Sequence, residues 1–153
     1  MYKRQALYDF TIVFDFKSTD TWDNAGDCTN WYSGVGLVDS DASGEMDDFG
    51  ISMCASKIIL GIRSTNLNSG TNTYNDGNWH SVKVVRVSAS GYAALLVDGR
   101  TMGSITNGVY NSLTAHSKIR IGQIANGFNS FTGTMRNVAI YNEAAAVPAK
   151  KDA

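Results

Sequence analysis

Apolar and polar residues alternate along short runs of this 153-residue chain, and this alternation most constrains the fold. In the run Phe10–Phe16, every second side chain is large and apolar. A period of two with aromatic and β-branched residues is typical of a half-buried β-strand. The same pattern predicts further strands at Phe49–Cys54, Ser56–Arg63, Trp79–Ser88, Ala93–Val97, Thr101–Ile105, Lys118–Gly122 and Phe131–Tyr141.

Turn-forming residues separate these runs. Asp98-Gly99 indicates a type I′ hairpin between two predicted strands, and Asn107-Gly108 and Asn126-Gly127 mark further turns. No part of the sequence repeats apolar residues at helical spacing over three turns. Many short strands with tight turns predict an all-β fold, a sandwich or jelly roll.

Charge and hydropathy argue against two classes of protein. The 13 Lys and Arg residues and 14 Asp and Glu residues give a net charge of −1, without the basic excess of a dedicated nucleic-acid binder. The longest uncharged apolar run, Ile58–Ile62, is far shorter than the roughly 20 residues of a membrane-spanning helix. We therefore expect neither a nucleic-acid partner nor membrane insertion.

The two ends of the sequence differ from its centre. The first residues contain Lys3-Arg4 without a following apolar segment, so we expect no signal peptide in this chain. We expect residues 1–8 to be a leader or truncation remnant, residues 9–143 to form one domain, and residues 144–153 to be a flexible tail.

Six segments, in this order, resemble the laminin-G-like, concanavalin A-like jelly rolls. They are Phe10–Lys17, Gly36–Asp39 with Asp48–Met53, Asp76–Val82 (the "DGxWHxV" stretch), Ala94–Arg100 ("LYVDGK"), Lys118–Gly122 ("LRIG") and Phe131–Asn142 ("FxGxIDEVRIYN"). The resemblance covers about residues 10–143. It implies a two-sheet antiparallel jelly-roll sandwich, located outside the cell, on a cell surface or on a virion surface.

The sequence departs from that family at its start. Family domains usually have a strand before the one that matches Phe10–Phe16, and only nine residues precede Phe10. We therefore expect the jelly roll to lack its first strand. The exposed edge would then be blunted, or filled by a neighbouring chain or domain, because an open edge promotes association.

Two patterns bear on catalysis. In the family, the histidine that matches His80 is structural, packs under the sheet and bonds to the backbone. Related jelly-roll glucanases carry "ExDxxE", which places two catalytic carboxylates side by side in a cleft. Here Glu45 and Asp47 match, but Gly50 stands in the acid/base position, so we expect no enzymatic activity.

An acidic loop is a candidate metal site. Nine of the 14 acidic residues lie between residues 15 and 48. Five of them flank a loop that contains Gly44, namely Asp39, Asp41, Glu45, Asp47 and Asp48. The four aspartates of this set are the candidate ligands. Clustered carboxylates and loop carbonyls suit calcium, and many laminin-G-like domains bind calcium through loop acids. The alternative is that these side chains are simply solvated.

Five aromatic residues next to predicted loops are candidate ligand contacts. They are Trp22, Trp31, Tyr32, Tyr74 and Phe128. Such side chains either stack on the apolar faces of sugar rings or cap the ends of the sandwich. Trp31-Tyr32, beside the acidic loop, is the first choice for a ligand contact.

The two cysteines leave two alternatives open. Cys28 lies just before Trp31-Tyr32, and Cys54 ends a predicted strand. A disulfide between them would tie down the acidic loop, provided that the two Cα atoms lie close enough. Two buried free thiols are equally compatible with the sequence.

Two functions of different classes follow from these observations. The first is a non-catalytic module that binds a glycan or a glycosylated surface through loop aromatics and an acidic, calcium-binding loop. The second is a structural or assembly module of a phage appendage, fibre or adhesin.

Overall fold

A computed structural model describes residues 8–22, 26–41, 44, 47–106, 113, 118–124 and 129–148. Within these residues the chain forms two antiparallel five-stranded sheets. The strands are β1 (Phe10–Lys17), β2 (Val35–Asp39), β3 (Phe49–Cys54), β4 (Lys57–Ile62), β5 (Thr65–Asn68), β6 (His80–Val87), β7 (Tyr92–Val97), β8 (Arg100–Thr106), β9 (Arg120–Ile121) and β10 (Thr134–Tyr141). Short 3-10 turns occur at Trp31–Ser33 and Ser88–Ser90.

The first sheet has the order β10-β1-β6-β7-β8, and the second has the order β5-β4-β3-β2-β9. Their facing side chains form the core, where the alternating apolar residues of β1 are all buried. Val82 and Val84 of β6 also lie in this core, so the even-numbered face of that strand points inward. The predicted all-β sandwich is confirmed.

The hairpin between β7 and β8 has the turn that its sequence predicts. Val97 pairs with Arg100, which leaves Asp98 and Gly99 as the two turn residues. Their φ angles are 51° and 75°, and a type I′ turn requires positive φ at both positions.

Strand β1 has a paired neighbour on each side. It pairs with β6 on one side and with the last strand, β10, on the other. The expectation of an open edge beside Phe10 is therefore wrong for the described residues, because the chain returns to cover that edge itself. Among the described residues, the edge strands are β10 and β8 in the first sheet and β5 and β9 in the second. That a neighbouring chain pairs with one of these edges stays a prediction.

Residues 142–148 cross the outer face of the first sheet, and we call them the C-terminal strap. Thr11 of β1 donates to the carbonyl of Glu143 (2.7 Å) and accepts from the backbone N–H of Ala145 (2.9 Å). Thr101 of β8 donates to the carbonyl of Pro148 (2.9 Å). The strap therefore runs from the β1 side of the sheet to its β8 edge.

The strap explains why outward-facing residues of this sheet are buried. Val85 and Ala94 alternate with the core residues Val84 and Leu95, yet both are fully buried. The flexible tail expected from residue 144 is thus, as far as Pro148, a segment fixed across the sheet. Residues 149–153 and 1–7 lie outside the described residues. No helix in the described part of the chain is long and apolar enough to cross a membrane.

Candidate functional site

The loop after β1 carries a partly exposed tryptophan that is held by its backbone and its side chain. Trp22 is 40% exposed, and its backbone N–H donates to the Asp20 carboxylate (2.9 Å). Its indole Nε1 donates to the carbonyl of Ser33 (3.1 Å), and its own carbonyl accepts from the backbone N–H of Ala55. The indole is therefore fixed in place while one part of it stays open to solvent.

Tyr32 is the second exposed aromatic residue of this region. It is 47% exposed and lies in the 3-10 turn Trp31–Ser33. Because Ser33 accepts the hydrogen bond from Trp22, the two exposed rings belong to one end of the sandwich. We call Trp22 and Tyr32 the aromatic rim.

Trp31 does not belong to the aromatic rim, which corrects the sequence prediction. It is 1% exposed, and its Nε1 donates to the carbonyl of Arg63 (3.0 Å). Its ring lies against the backbone of Gly50 and Gly61, where any Cβ atom would overlap it. The missing side chains of two strand glycines thus create the space that buries this tryptophan. For the same reason, position 50 has no room for a catalytic glutamate.

A disulfide fixes the segment that leads into this turn. Cys28 and Cys54 are joined, with Cα atoms 5.6 Å apart. Together with Trp31 and Ile59 they form a second, small apolar cluster apart from the main core. Of the two alternatives for the cysteines, the structure has the bridge, which ties the segment between the two rim residues to the end of β3.

Tyr74 is also a core residue rather than a ligand contact. It is 5% exposed and packs its ring edge-on against His80, with the centroids 5.1 Å apart. Its hydroxyl accepts from the Asn72 amide (3.1 Å) and lies 3.4 Å from the Met102 sulfur. Phe128, the remaining aromatic candidate, lies outside the described residues.

The acidic loop is described only in part. Asp39, Asp41 and Asp48 are buried, and Asp39 accepts from the backbone N–H of Asp41 (2.8 Å). Asp47 instead forms an ion pair with Arg63 (3.2 Å). Among the described residues, no group of three or more His, Cys, Asp or Glu side chains could hold a metal ion. Glu45 lies outside the described residues.

His80 is structural, but its partners differ from those expected. Its Nδ1 lies 2.8 Å from the Asp98 carboxylate and its Nε2 lies 3.0 Å from that of Asp76, not from backbone groups. Burial opposes protonation, but the bonds to the two carboxylates outweigh it and raise the pKa of His80. The pKa of Asp76 falls to about 2, chiefly through hydrogen bonds from Asn78 and also through His80.

The outer face of the first sheet carries an open groove of about 280 Å³, which we call the sheet groove. Its apolar floor includes Val13 and Leu96. Its polar lining residues are Asp15, Ser81, Lys83 and Asn137. The hairpin residue Gly99 also lines it.

A β-bulge lies beside the sheet groove. The pairing of β1 with β10 shifts register between Val13 and Asp15, and Asn137 of β10 has a φ of 54°. The Asn137 amide donates to the Asp15 carboxylate (2.8 Å). A bulge of this kind re-aims a side chain, and here it turns an amide toward the carboxylate.

Comparison with known proteins identifies the family. A laminin G family, described as the concanavalin A-like lectin/glucanases superfamily, matches residues 8–147. The chain belongs to this family. The predicted resemblance is therefore confirmed, and the β-sandwich is a laminin-G-like domain. No match was found among curated protein sequences.

Several solved structures share the fold of this laminin-G-like domain. A heptameric SAP-like pentraxin from Limulus polyphemus has a TM-score of 0.69 and 16% identity, over 96% of this chain and 70% of the pentraxin. The CBM40 domain of the Ruminococcus gnavus IT-sialidase, bound to α2,3-sialyllactose, has a TM-score of 0.69 and 13% identity, over 92% of this chain and 79% of CBM40. Domains LG4-5 of the mouse laminin α1 chain have a TM-score of 0.67 and 16% identity, over 97% of this chain and 41% of theirs. At these identities the comparisons establish the fold.

The sequence alone does not predict the sheet groove of the laminin-G-like domain. Asp15 and Ser81 are outward-facing residues of predicted strands, which is a signal that the sequence did contain. Their meeting depends on the pairing of β1 with β6, and the approach of Asn137 depends on the bulge in β10. The residue pattern of a single strand predicts neither the pairing of β1 with β6 nor the bulge in β10.

Proposed function

We propose that this laminin-G-like domain is a non-catalytic carbohydrate-binding module that contacts its glycan through the aromatic rim. The observation that carries the proposal is that Trp22 and Tyr32 are exposed while the other described aromatic candidates are buried. An exposed ring offers an apolar face to the C–H face of a sugar. Because Trp22 is already fixed by hydrogen bonds, stacking costs little conformational entropy.

Polar groups for sugar hydroxyls lie in the neighbouring segment. Asp27 and Thr29 are exposed, and the Thr29 hydroxyl donates to the Asp27 carboxylate (2.6 Å). The side-chain and backbone hydrogen bonds from Thr29 lower the pKa of Asp27. The carboxylate is therefore ionised at neutral pH and accepts hydrogen bonds from hydroxyl groups.

The relatives support the class of ligand. The matched family is described by lectins and glucanases, and the CBM40 domain of similar fold was solved with sialyllactose. We accordingly propose a glycan or a glycosylated surface as the partner, and a location outside the cell or on a cell or virion surface. Calcium binding by the acidic loop stays a prediction.

Isothermal titration calorimetry tests this function. We expect measurable heats with at least one glycan in a panel of neutral, sialylated and plant-type oligosaccharides. Repeating the titrations in EDTA and in calcium chloride tests calcium separately, since binding that survives EDTA needs no metal. Flat heats across the panel would contradict the proposal. Ordered oligomers in native mass spectrometry, together with flat heats, would favour the assembly module instead.

A further inference from the structure

The sheet groove lies on the outer face of the first sheet, whereas the aromatic rim adjoins β3 of the second sheet. We propose that the sheet groove is a second carbohydrate-binding site, which takes one pyranose unit by its hydroxyl groups and its apolar C–H face. The class of ligand rests on the proposed function. The site itself does not, because it shares no residue with the aromatic rim.

The lining of the sheet groove matches the two chemistries of a sugar ring. Val13 and Leu96 provide an apolar floor, against which a C–H face can pack. Lys83 and Asn137 provide donors, and Asp15 provides acceptors. A mainly apolar concavity with a few converging polar groups is the usual form of a small-ligand site.

The polar groups are ordered by one another before any ligand binds. The Asp15 carboxylate accepts from the Ser81 hydroxyl (2.8 Å), from the Asn137 amide (2.8 Å) and from Nε of Arg136 (3.2 Å). These bonds, led by that from Ser81, lower the pKa of Asp15, so it is ionised at neutral pH. A ligand would therefore meet a carboxylate and an amide that are already oriented, which lowers the entropic cost of binding.

The bulge at Asn137 is a second observation, independent of the concavity. A non-glycine residue with positive φ is uncommon inside a strand and costs energy that the surroundings must offset. The distortion here places the side chain of Asn137 at the groove, next to Asp15. Such a bulge beside a lined concavity is typical of strands that re-aim a side chain toward a ligand.

Lys83, which lines the sheet groove, is also bonded to the C-terminal strap. The ammonium group of Lys83 donates to the carbonyl of Ala146 (3.4 Å). An ammonium group has three donors, so this bond leaves others for a ligand hydroxyl or carboxylate. The strap thus both fixes the outer face and positions the cation of the site.

Nuclear magnetic resonance titrations of the whole chain test the inference. Lactose, α2,3-sialyllactose and cellotriose are added in turn while backbone amide shifts are followed. We expect saturable shifts at Val13, Lys83 and Asn137 with at least one of these saccharides. Shifts at Trp22 and Tyr32 alone would overturn the second site and leave the proposed function standing. Shifts at neither surface would contradict both.

A matched pair of variants then tests the role of the amide. Asn137→Gly keeps the positive φ without strain and removes the side chain, so the fold should persist. We expect it to weaken binding at the groove about tenfold or more, as the loss of a hydrogen bond to the ligand and of the Asp15 orientation predicts. Asn129→Gly, at a φ of 51° outside the groove, should leave the affinity unchanged. Equal affinities for the two variants would overturn the proposal.

Discussion

Replacing Trp31 with alanine should destabilise the domain strongly without removing any surface from the aromatic rim. The side chain is 1% exposed, and truncating a buried tryptophan costs about 3–5 kcal/mol. The upper part of this range applies here. The ring lies on Gly50 and Gly61, which have no side chains that could move into the cavity, and the Arg63 carbonyl loses its indole donor.

The expected shift in melting temperature follows from that loss. For a chain of this length, each kcal/mol corresponds to about 2–4 °C, so a loss of about 4–5 kcal/mol should lower the melting temperature by about 8–20 °C relative to the wild type. Circular dichroism during heating measures the melting temperature, and circular dichroism during urea titration measures the unfolding free energy. Both experiments are done without reducing agent, so that the disulfide stays intact. Trp22→Ala is the matched control, because that ring is 40% exposed and its loss should cost no more than about 1 kcal/mol.

If Trp31→Ala melts within about 2 °C of Trp22→Ala, burial of the Trp31 ring does not stabilise the domain as predicted. Such a result would mean that the contact of the Trp31 ring with Gly50 and Gly61 does not stabilise the fold. Trp31 would then again be a candidate ligand contact, as the sequence predicts.

Three further predictions concern the histidine, the disulfide and the strap. His80 has a raised pKa, so its protonated form stabilises the fold below about pH 6.5, and this contribution is lost as pH rises through the folded-state pKa. The stability difference between wild type and His80→Gln, measured by urea titration, should therefore shrink from pH 5.5 to pH 8.5, and a constant difference would contradict it. The double variant Cys28→Ser with Cys54→Ser opens a 26-residue separation and should lose about 2–4 kcal/mol of unfolding free energy, whereas an unchanged urea midpoint would contradict the role of the bridge. Deleting residues 142–153 uncovers Val85 and Ala94, so the truncated chain should bind more of the dye ANS and melt earlier; equal dye binding would mean that the strap does not cover that face.

The fold could be predicted from the sequence because its strongest local signals agree. The apolar period of Phe10–Phe16 and the Asp98-Gly99 turn each specify one conformation, and both occur as predicted. By contrast, no predicted strand corresponds to β5 (Thr65–Asn68), which is polar, half-buried at a sheet edge and without apolar alternation. Its pairing with β4, rather than its own pattern, makes it a strand.

The site could be predicted only in part, since burial depends on distant residues. Trp31 and Tyr32 are adjacent aromatic residues, and nothing local distinguishes them. Gly50 and Gly61, on two later strands, decide that Trp31 is buried and Tyr32 is not. The strap is similarly predicted to be a tail, because its small residues carry no pattern. The hydrogen bonds that hold it go to Thr11 and Thr101, which are far away in sequence.

We propose that the aromatic rim binds a glycan. The most direct measurement is calorimetric titration of Trp22→Ala and Tyr32→Ala with the glycan that binds the wild type best. Tyr8→Ala is the control, because Tyr8 is exposed at the other end of β1, where Arg86 bonds to its carbonyl. We predict that each rim variant weakens binding about tenfold or more, which corresponds to about 1.4 kcal/mol of lost stacking for each ring, and that Tyr8→Ala does not. Wild-type affinity in both rim variants would contradict the claim.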